Sequence, residues 1–287
     1  MKKPLVSVLL LCCLSANAQA FDLNDLGSVL GTLQKAQQAN ADIDESKEVE
    51  LGSGIASNLL GAAPLLKNQA VQRYVNHIGM WLALQTERPN LPWQFGVLDD
   101  DDINAFAAPG GYIFVTRGLL AQMKSEAELA GVLAHEMSHV LRRHYLQALK
   151  KGARTELLAE FAGKAMQSQG ADPNLTKLVN AGTEVYARGL DKSDEFEADR
   201  MGVVIATRAG YDPYGLPAVL QTLQGLNAQD SSLALLFKTH PALPERLNLL
   251  DKMMTGQFDD FENQPDNAPR FMSVMNKTGI LIHTGKR

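Results

Sequence analysis

Cysteine is nearly absent: the 287-residue chain has two, Cys12 and Cys13, both close to its start. Beyond them neither a disulfide nor a thiolate metal site can form, so any metal must be held by His, Asp or Glu. Basic charge is also scarce. Lys and Arg number 27 against 32 Asp and Glu, a net charge of −5, which argues against nucleic acid as a partner. Apolar runs are short as well. Leu5 to Leu14 covers about ten residues, half of what a helix needs to cross a bilayer, and no later stretch is long enough. There is no repeat, and no low-complexity tract longer than Asp99-Asp100-Asp101-Asp102. That run has the charge of a calcium loop without its spaced ligands or closing glutamate, and reads as a solvated turn.

What is present begins with a leader pattern. Met1-Lys2-Lys3 supplies positive charge, Leu5 to Leu14 the apolar stretch, and Ala18-Gln19-Ala20 the small residues of a cleavage site. The expectation is a secretory signal peptide over 1–20, cut after Ala20, and a periplasmic mature chain. A lipoprotein signal is the rival, but neither cysteine follows the small residue that such a site requires. Removing 1–20 takes both cysteines and two lysines, so the charge moves from −5 to −7 on the remaining 267 residues.

Residues 21–66 carry helical signals broken by Gly52, Gly54 and Gly61, and read as an N-terminal arm or wrap. Past Pro64, Val71, Tyr74, Val75, Ile78 and Leu82 recur at helical spacing. Trp93 to Leu98 alternates as a strand, and Tyr112 to Thr116 is a second, introduced by the Pro109-Gly110-Gly111 turn. From Ser125 onward helices are expected at 125–149, 153–168, 174–188, 193–208, 214–227 and 244–254. A tail from Asn263 ends in a strand at Ile280 to His283. The class is α+β: a mainly helical domain at 67–256 with a small sheet, followed by an extension at 257–287.

Chemistry concentrates on the first of those late helices. Ser125-Glu126-Ala127-Glu128 has the form of a capping box and sets the helix start. Ten residues on comes His135-Glu136-Met137-Ser138-His139. One helical turn separates His135 from His139, so both imidazoles can meet one metal ion. Glu136 is rotated by about 100° and reaches the edge of such a site, where it can take a proton from water. The pattern is a zinc-peptidase signature with a real rate of chance matches. The bland reading, a solvated helix, is opposed by Leu133, Ala134, Met137 and Val140 around it.

A third ligand must come from elsewhere. Continuing the motif as in metzincins would need Gly and His where Arg142 and Tyr145 stand. Among Glu156, Glu160, Glu184, Glu195 and Glu197, only Glu195 has an aspartate, Asp199, four residues on. In gluzincins that arrangement lets the aspartate hydrogen-bond a ligand histidine. Two inward carboxylates are costly unless they serve a cation or an N–H. Glu195 is therefore the expected third ligand of a single zinc ion, and Glu197 a surface residue.

With these motifs in view, the sequence resembles the HtpX, BepA and Oma-type zinc metallopeptidases, relatives of the CAAX prenyl endopeptidase. Four blocks carry the likeness: Asn104 to Gly111, His135 to His144, Glu195 to Gly202, and Thr239-His240-Pro241 with Arg246. The likeness covers roughly residues 70–250. The resemblance implies a gluzincin-type domain, zinc, endopeptidase activity, and a peptide substrate paired along an edge strand. With the leader, it further implies turnover of misfolded envelope proteins. It departs from the membrane-embedded relatives in lacking their spans, and from BepA in lacking a tetratricopeptide domain. An envelope chaperone keeping the zinc fold as scaffold is the alternative, opposed by the intact Glu136. An aminopeptidase would need an amine-binding G-x-M-E-N motif, which is missing. Contact with a membrane stays open.

Several residues keep two readings. Gly111, Tyr112, Ile113 and Phe114 form either the substrate-binding edge strand or an ordinary core strand. His144 is expected beside a ligand or at the helix end rather than on the metal. His240, held extended before Pro241, begins a helix. It is a reversible fourth ligand, an oxyanion-stabilising catalytic residue, or a packing residue. Tyr186 reads as core, and His77 and His283 as structural or surface.

Overall fold

A computed structural model describes residues 43–151, 189–227, 229–240 and 242–280. The helices expected at 153–168 and 174–188 lie outside the described residues, as do Tyr186, His283 and most of the C-terminal strand. Two helices come first, α1 (Glu45–Ala62) and α2 (Gln69–Ala83), then three strands: β1 (Gln94–Leu98), β2 (Ala105–Ala108) and β3 (Tyr112–Thr116). A single turn, α3 (Arg117–Leu120), leads to α4 (Glu126–Leu141). The later helices are α5 (Lys192–Arg208), α6 (Gly215–Gln224), α7 (Ala234–Thr239), α8 (Leu243–Met254) and α9 (Ala268–Thr278). The architecture is mainly helical α+β with one small sheet. No described helix is long and apolar enough to cross a membrane.

The sheet corrects one expectation. Strand order is β1-β3-β2, with β1 parallel to β3 (Phe95 opposite Ile113) and β2 antiparallel to it (Phe106 opposite Phe114). Tyr112, Ile113 and Phe114 therefore sit on the central strand, and Gly111 in the turn before it. Both sides of β3 are already paired, so an added peptide has no backbone groups there to bind. The edge nearest the later helices is β2, a strand too short and alanine-rich to alternate visibly in the sequence.

The turn before β3 is shaped by α1. Gly110 has φ 76, and a Cβ on it would lie 2.5 Å from the Val49 Cα, so only glycine fits against this helix. Its N–H points to the Glu48 carboxylate at 3.3 Å, which Arg88 and Arg143 also hold, each at 3.0 Å. At the other end of the chain, Phe271 and Met275 of α9 are fully buried. Burying one such side chain contributes about 2 kcal/mol. Both α1 and α9 thus belong to the packed unit, and the boundary expected at 256 marks no limit of packing.

All of α4 is buried, which suits its apolar run on every face. Ser125 Oγ accepts from Glu128 N–H, and the Glu128 carboxylate accepts from Lys124 N–H, so the capping box reaches one residue further back than usual. The neighbouring Glu126 is buried among Tyr74, Tyr211 and Arg270, tying α4 to α2 and α9.

Candidate metal centre and active site

The helix expected to run through 149 breaks instead at Arg142-Arg143. Arg143 adopts φ 56, a left-handed conformation that costs a non-glycine residue about 1 kcal/mol. Its guanidinium is anchored on Glu48 and on the Ile43 carbonyl, which offsets that cost. The chain turns here, then continues helically through 144–151.

Upstream of the break, His135 and His139 lie on one face of α4 with their Nε2 atoms 3.1 Å apart. The α5 helix crosses this face closely: a Cβ at Gly202 would sit 2.9 Å from the His135 backbone nitrogen. That approach brings Glu195 Oε2 to 3.6 Å from His135 Nε2, and Glu195 Oε1 to 3.5 Å from His139 Nε2. His240 arrives from a third direction. It ends α7 rather than beginning a helix, and its Nδ1 is 3.0 Å from Glu195 Oε2 while its Nε2 is 3.7 Å from Glu136 Oε1. One ligand atom from each of His135, His139, Glu195 and His240 falls within 4.8 Å of the others.

Around this cluster the remaining expected residues take distinct positions. Asp199, one turn after Glu195, places Oδ1 2.9 Å from His135 Nδ1. His144 meets His139, Nδ1 to Nδ1, at 2.9 Å. Tyr112, Ile113 and Phe114 stay in the sheet. His77 is exposed, and Asp99 and Asp101 pair with Arg117 in a surface turn. Two residues take parts the sequence reading did not give them: Arg246, which carried only the family likeness, and Glu197, placed at the surface. Arg246 is buried and grips both Asp199 oxygens, at 2.7 and 2.8 Å, with Glu195 at 3.1 Å. The signal was there: two inward carboxylates on one helix call for a buried cation. Glu197, expected to face away, is half-buried, and its Oε2 lies 3.4 Å from His144 Nε2.

Electrostatics follow from this arrangement. Burial alone would push the Glu195 carboxyl up, but His240, His135 and Arg246 hold it well below its usual value. Against burial, Asp199 and Glu195 raise His135 to about 9. This is a place that favours positive charge. His139 goes the other way: burial drives it well down, leaving a neutral ring with a lone pair. Burial also raises Glu136, only partly opposed by His240 and His135. A carboxylate with raised proton affinity, beside a cation site, is suited to accept a proton from water and give it back.

Peptidase family M48 matches residues 67–254. The chain belongs to that family. Its members are zinc metallopeptidases. Among curated relatives, the beta-barrel assembly-enhancing protease of Escherichia coli is 30% identical over 236 residues, covering 78% of this chain and 48% of that protein. The mitochondrial metalloendopeptidase OMA1 of Arabidopsis thaliana is 30% identical over 65% of this chain and 36% of its own length. A protease HtpX homolog of Burkholderia mallei is 28% identical over 60% of this chain and 72% of its own. The chain spans about half the length of the assembly-enhancing proteases it matches.

The donor set fits the family's zinc. Two imidazoles and a carboxylate are its preferred ligands, and at bond lengths of about 2 Å tetrahedral ligand atoms sit about 3.3 Å apart, near the 3.1 to 3.6 Å found here. Glu195 Oε1 and Glu136 Oε2 are buried without a hydrogen-bond partner, which a bound cation and a water would remedy. A cavity of about 30 Å³ between Glu136, His240 and Ala105 has room for such a water.

Proposed function

We propose that this chain is a zinc-dependent endopeptidase in which His135, His139 and Glu195 hold one metal ion and Glu136 is the general base. The observation that carries the reading is the convergence of these donors within 4.8 Å around buried, unpartnered Glu136 and Glu195 oxygens. When bound, zinc supplies Lewis acidity, drawing the acidity of water towards neutrality and polarising the scissile carbonyl. Glu136 removes the proton from the attacking water and delivers it to the leaving amine. Asp199, fixed by Arg246, orients His135. The extended substrate pairs with β2 at Ala105–Ala108, which has no second strand beside it among the described residues and whose Ala105 lines the cavity.

His240 has two roles open to it, both supported by its position between Glu195 and Glu136. As a fourth ligand it closes the site until substrate displaces it, which suits the complete burial of the cluster. As a catalytic residue it donates to the oxyanion. His240→Ala separates them: zinc is retained in both cases, but cleavage of an unfolded substrate rises if His240 gates and falls about 10²-fold if it stabilises the oxyanion. No change in either quantity makes His240 a packing residue.

The setting proposed is the periplasm, reached through the leader over 1–20, with misfolded envelope proteins as substrates. Support comes from the leader pattern and from relatives named as proteases of barrel assembly. The test is metal analysis paired with casein cleavage by the secreted chain. One zinc per chain is expected, lost in His135→Ala and Glu195→Ala. Activity should vanish in Glu136→Gln with zinc retained. Zinc bound normally by Glu195→Ala would overturn the ligand set.

A further inference from the structure

The two histidines of α4 look alike from the metal side and differ behind it. His135 Nδ1 lies 2.9 Å from an Asp199 carboxylate oxygen. Behind His139 the nearest group is another imidazole, His144, at 2.9 Å between Nδ1 atoms. Such a contact is a hydrogen bond only when one nitrogen carries a proton and the other a lone pair. The far nitrogen of His144 decides which. It lies 3.4 Å from Glu197 Oε2 and 4.0 Å from Asp194 Oδ1, and carboxylates only accept. The proton of His144 therefore sits on Nε2, its Nδ1 accepts, and His139 Nδ1 donates. His139 Nε2 is left with its lone pair turned to Glu195.

Nothing in an unbroken helix would produce this contact. Residue 144 would be rotated by about 140° from His139; the left-handed turn at Arg143 brings it back. Glu197 is itself held, because its other oxygen takes the Arg142 guanidinium at 2.9 Å. We infer that Glu197, acting through His144, is a positioning residue that sets the tautomer and aim of His139. The inference rests on the metal reading above. The relay does for the second histidine what Asp199 does directly for the first, but it is anchored on a carboxylate that is 40% exposed.

The experiment measures zinc affinity of the full chain by competition with a chromophoric chelator, for the wild type, Glu197→Ala, His144→Ala, the double variant and His139→Ala. The imidazole nitrogens of the zinc-loaded protein are followed by NMR. Glu197→Ala should weaken zinc binding about 10-fold, within the range for a carboxylate behind a ligand histidine. The metal-free protein should melt as the wild type does. The double variant should bind no more weakly than His144→Ala, because the two act in series. In the wild type, His139 should show a protonated Nδ1. Wild-type affinity in Glu197→Ala, with zinc lost in His139→Ala, would overturn the relay and leave the metal site standing. Full zinc binding by His139→Ala would overturn both.

Discussion

Glu48 and Glu126 are as deeply buried as Glu136 and Glu195, but their surroundings differ. Every oxygen of the first pair is occupied: Glu48 by Arg88, Arg143 and the Gly110 N–H, Glu126 by Tyr74, Tyr211 and Arg270. The second pair keeps one oxygen each without a hydrogen bond. A buried carboxylate left short of donors costs stability, and a fold that needs it only for packing would remove it. Depth of burial therefore does not separate the two kinds of site in this molecule, whereas saturation of the lone pairs does.

The largest effect expected from that contrast is on chemistry. Glu136→Gln should lower peptide cleavage by about 10²- to 10⁴-fold. The metal-free variant should be at least as stable in urea as the wild type, since a poorly paired charge is gone. A clear loss of stability would place Glu136 with the saturated pair. Next comes Arg246→Ala, which strips the buried guanidinium from Glu195 and Asp199 and should cost the metal-free protein about 4 kcal/mol. The same change should shift acid unfolding. Burial alone would raise the Asp199 carboxyl, but Arg246 and His135 hold it below its ordinary 3.8. Its contribution is complete above that value and is lost as pH falls through the lowered one. Without Arg246 the loss should begin at higher pH, visible in far-ultraviolet dichroism of the apoprotein.

Smaller again is Glu48→Ala, about 2 kcal/mol by the same measurement, because Arg143 is partly exposed and can turn to solvent once released. A drop in zinc affinity alongside would tie the α1 clamp to the turn beneath His144. The smallest effect belongs to the surface. Arg117→Ala removes its pairs with Asp99 and Asp101, both well exposed, and should change stability by about 0.5 kcal/mol or less. Calcium should not shift the melting of either protein.

What was legible in the sequence was whatever one helix decides alone. Helical spacing puts His135 beside His139, and Glu195 beside Asp199, with no knowledge of the rest of the chain. The inward face of α2, with Val71, Val75, Ile78 and Leu82, was readable for the same reason. Strand order was not, because the pairing of β3 between β1 and β2 depends on partners that local pattern does not name. The break at Arg143 was hidden too. Its left-handed turn is held by Glu48, 95 positions earlier, and no local glycine or proline marks it. The need for a buried cation near Glu195 and Asp199 was legible, but the contacts of Arg246 and Glu197 appear only once α8 and the segment after Arg143 are folded against α5.

The close crossing at Gly202 bears on which ions the cage admits. Where two helices meet this closely, no side chain remains at the crossing that could yield, so the backbone spacing between His135 on one and Glu195 on the other cannot narrow. It can widen only by parting the helices along their contact, which would disturb His139 as well. The backbone spacing beneath the proposed ligands is thus a property of the helix pair. A single methyl group, as in Gly202→Ala, would act as a wedge that shifts ionic preference towards larger metals before it unfolds anything.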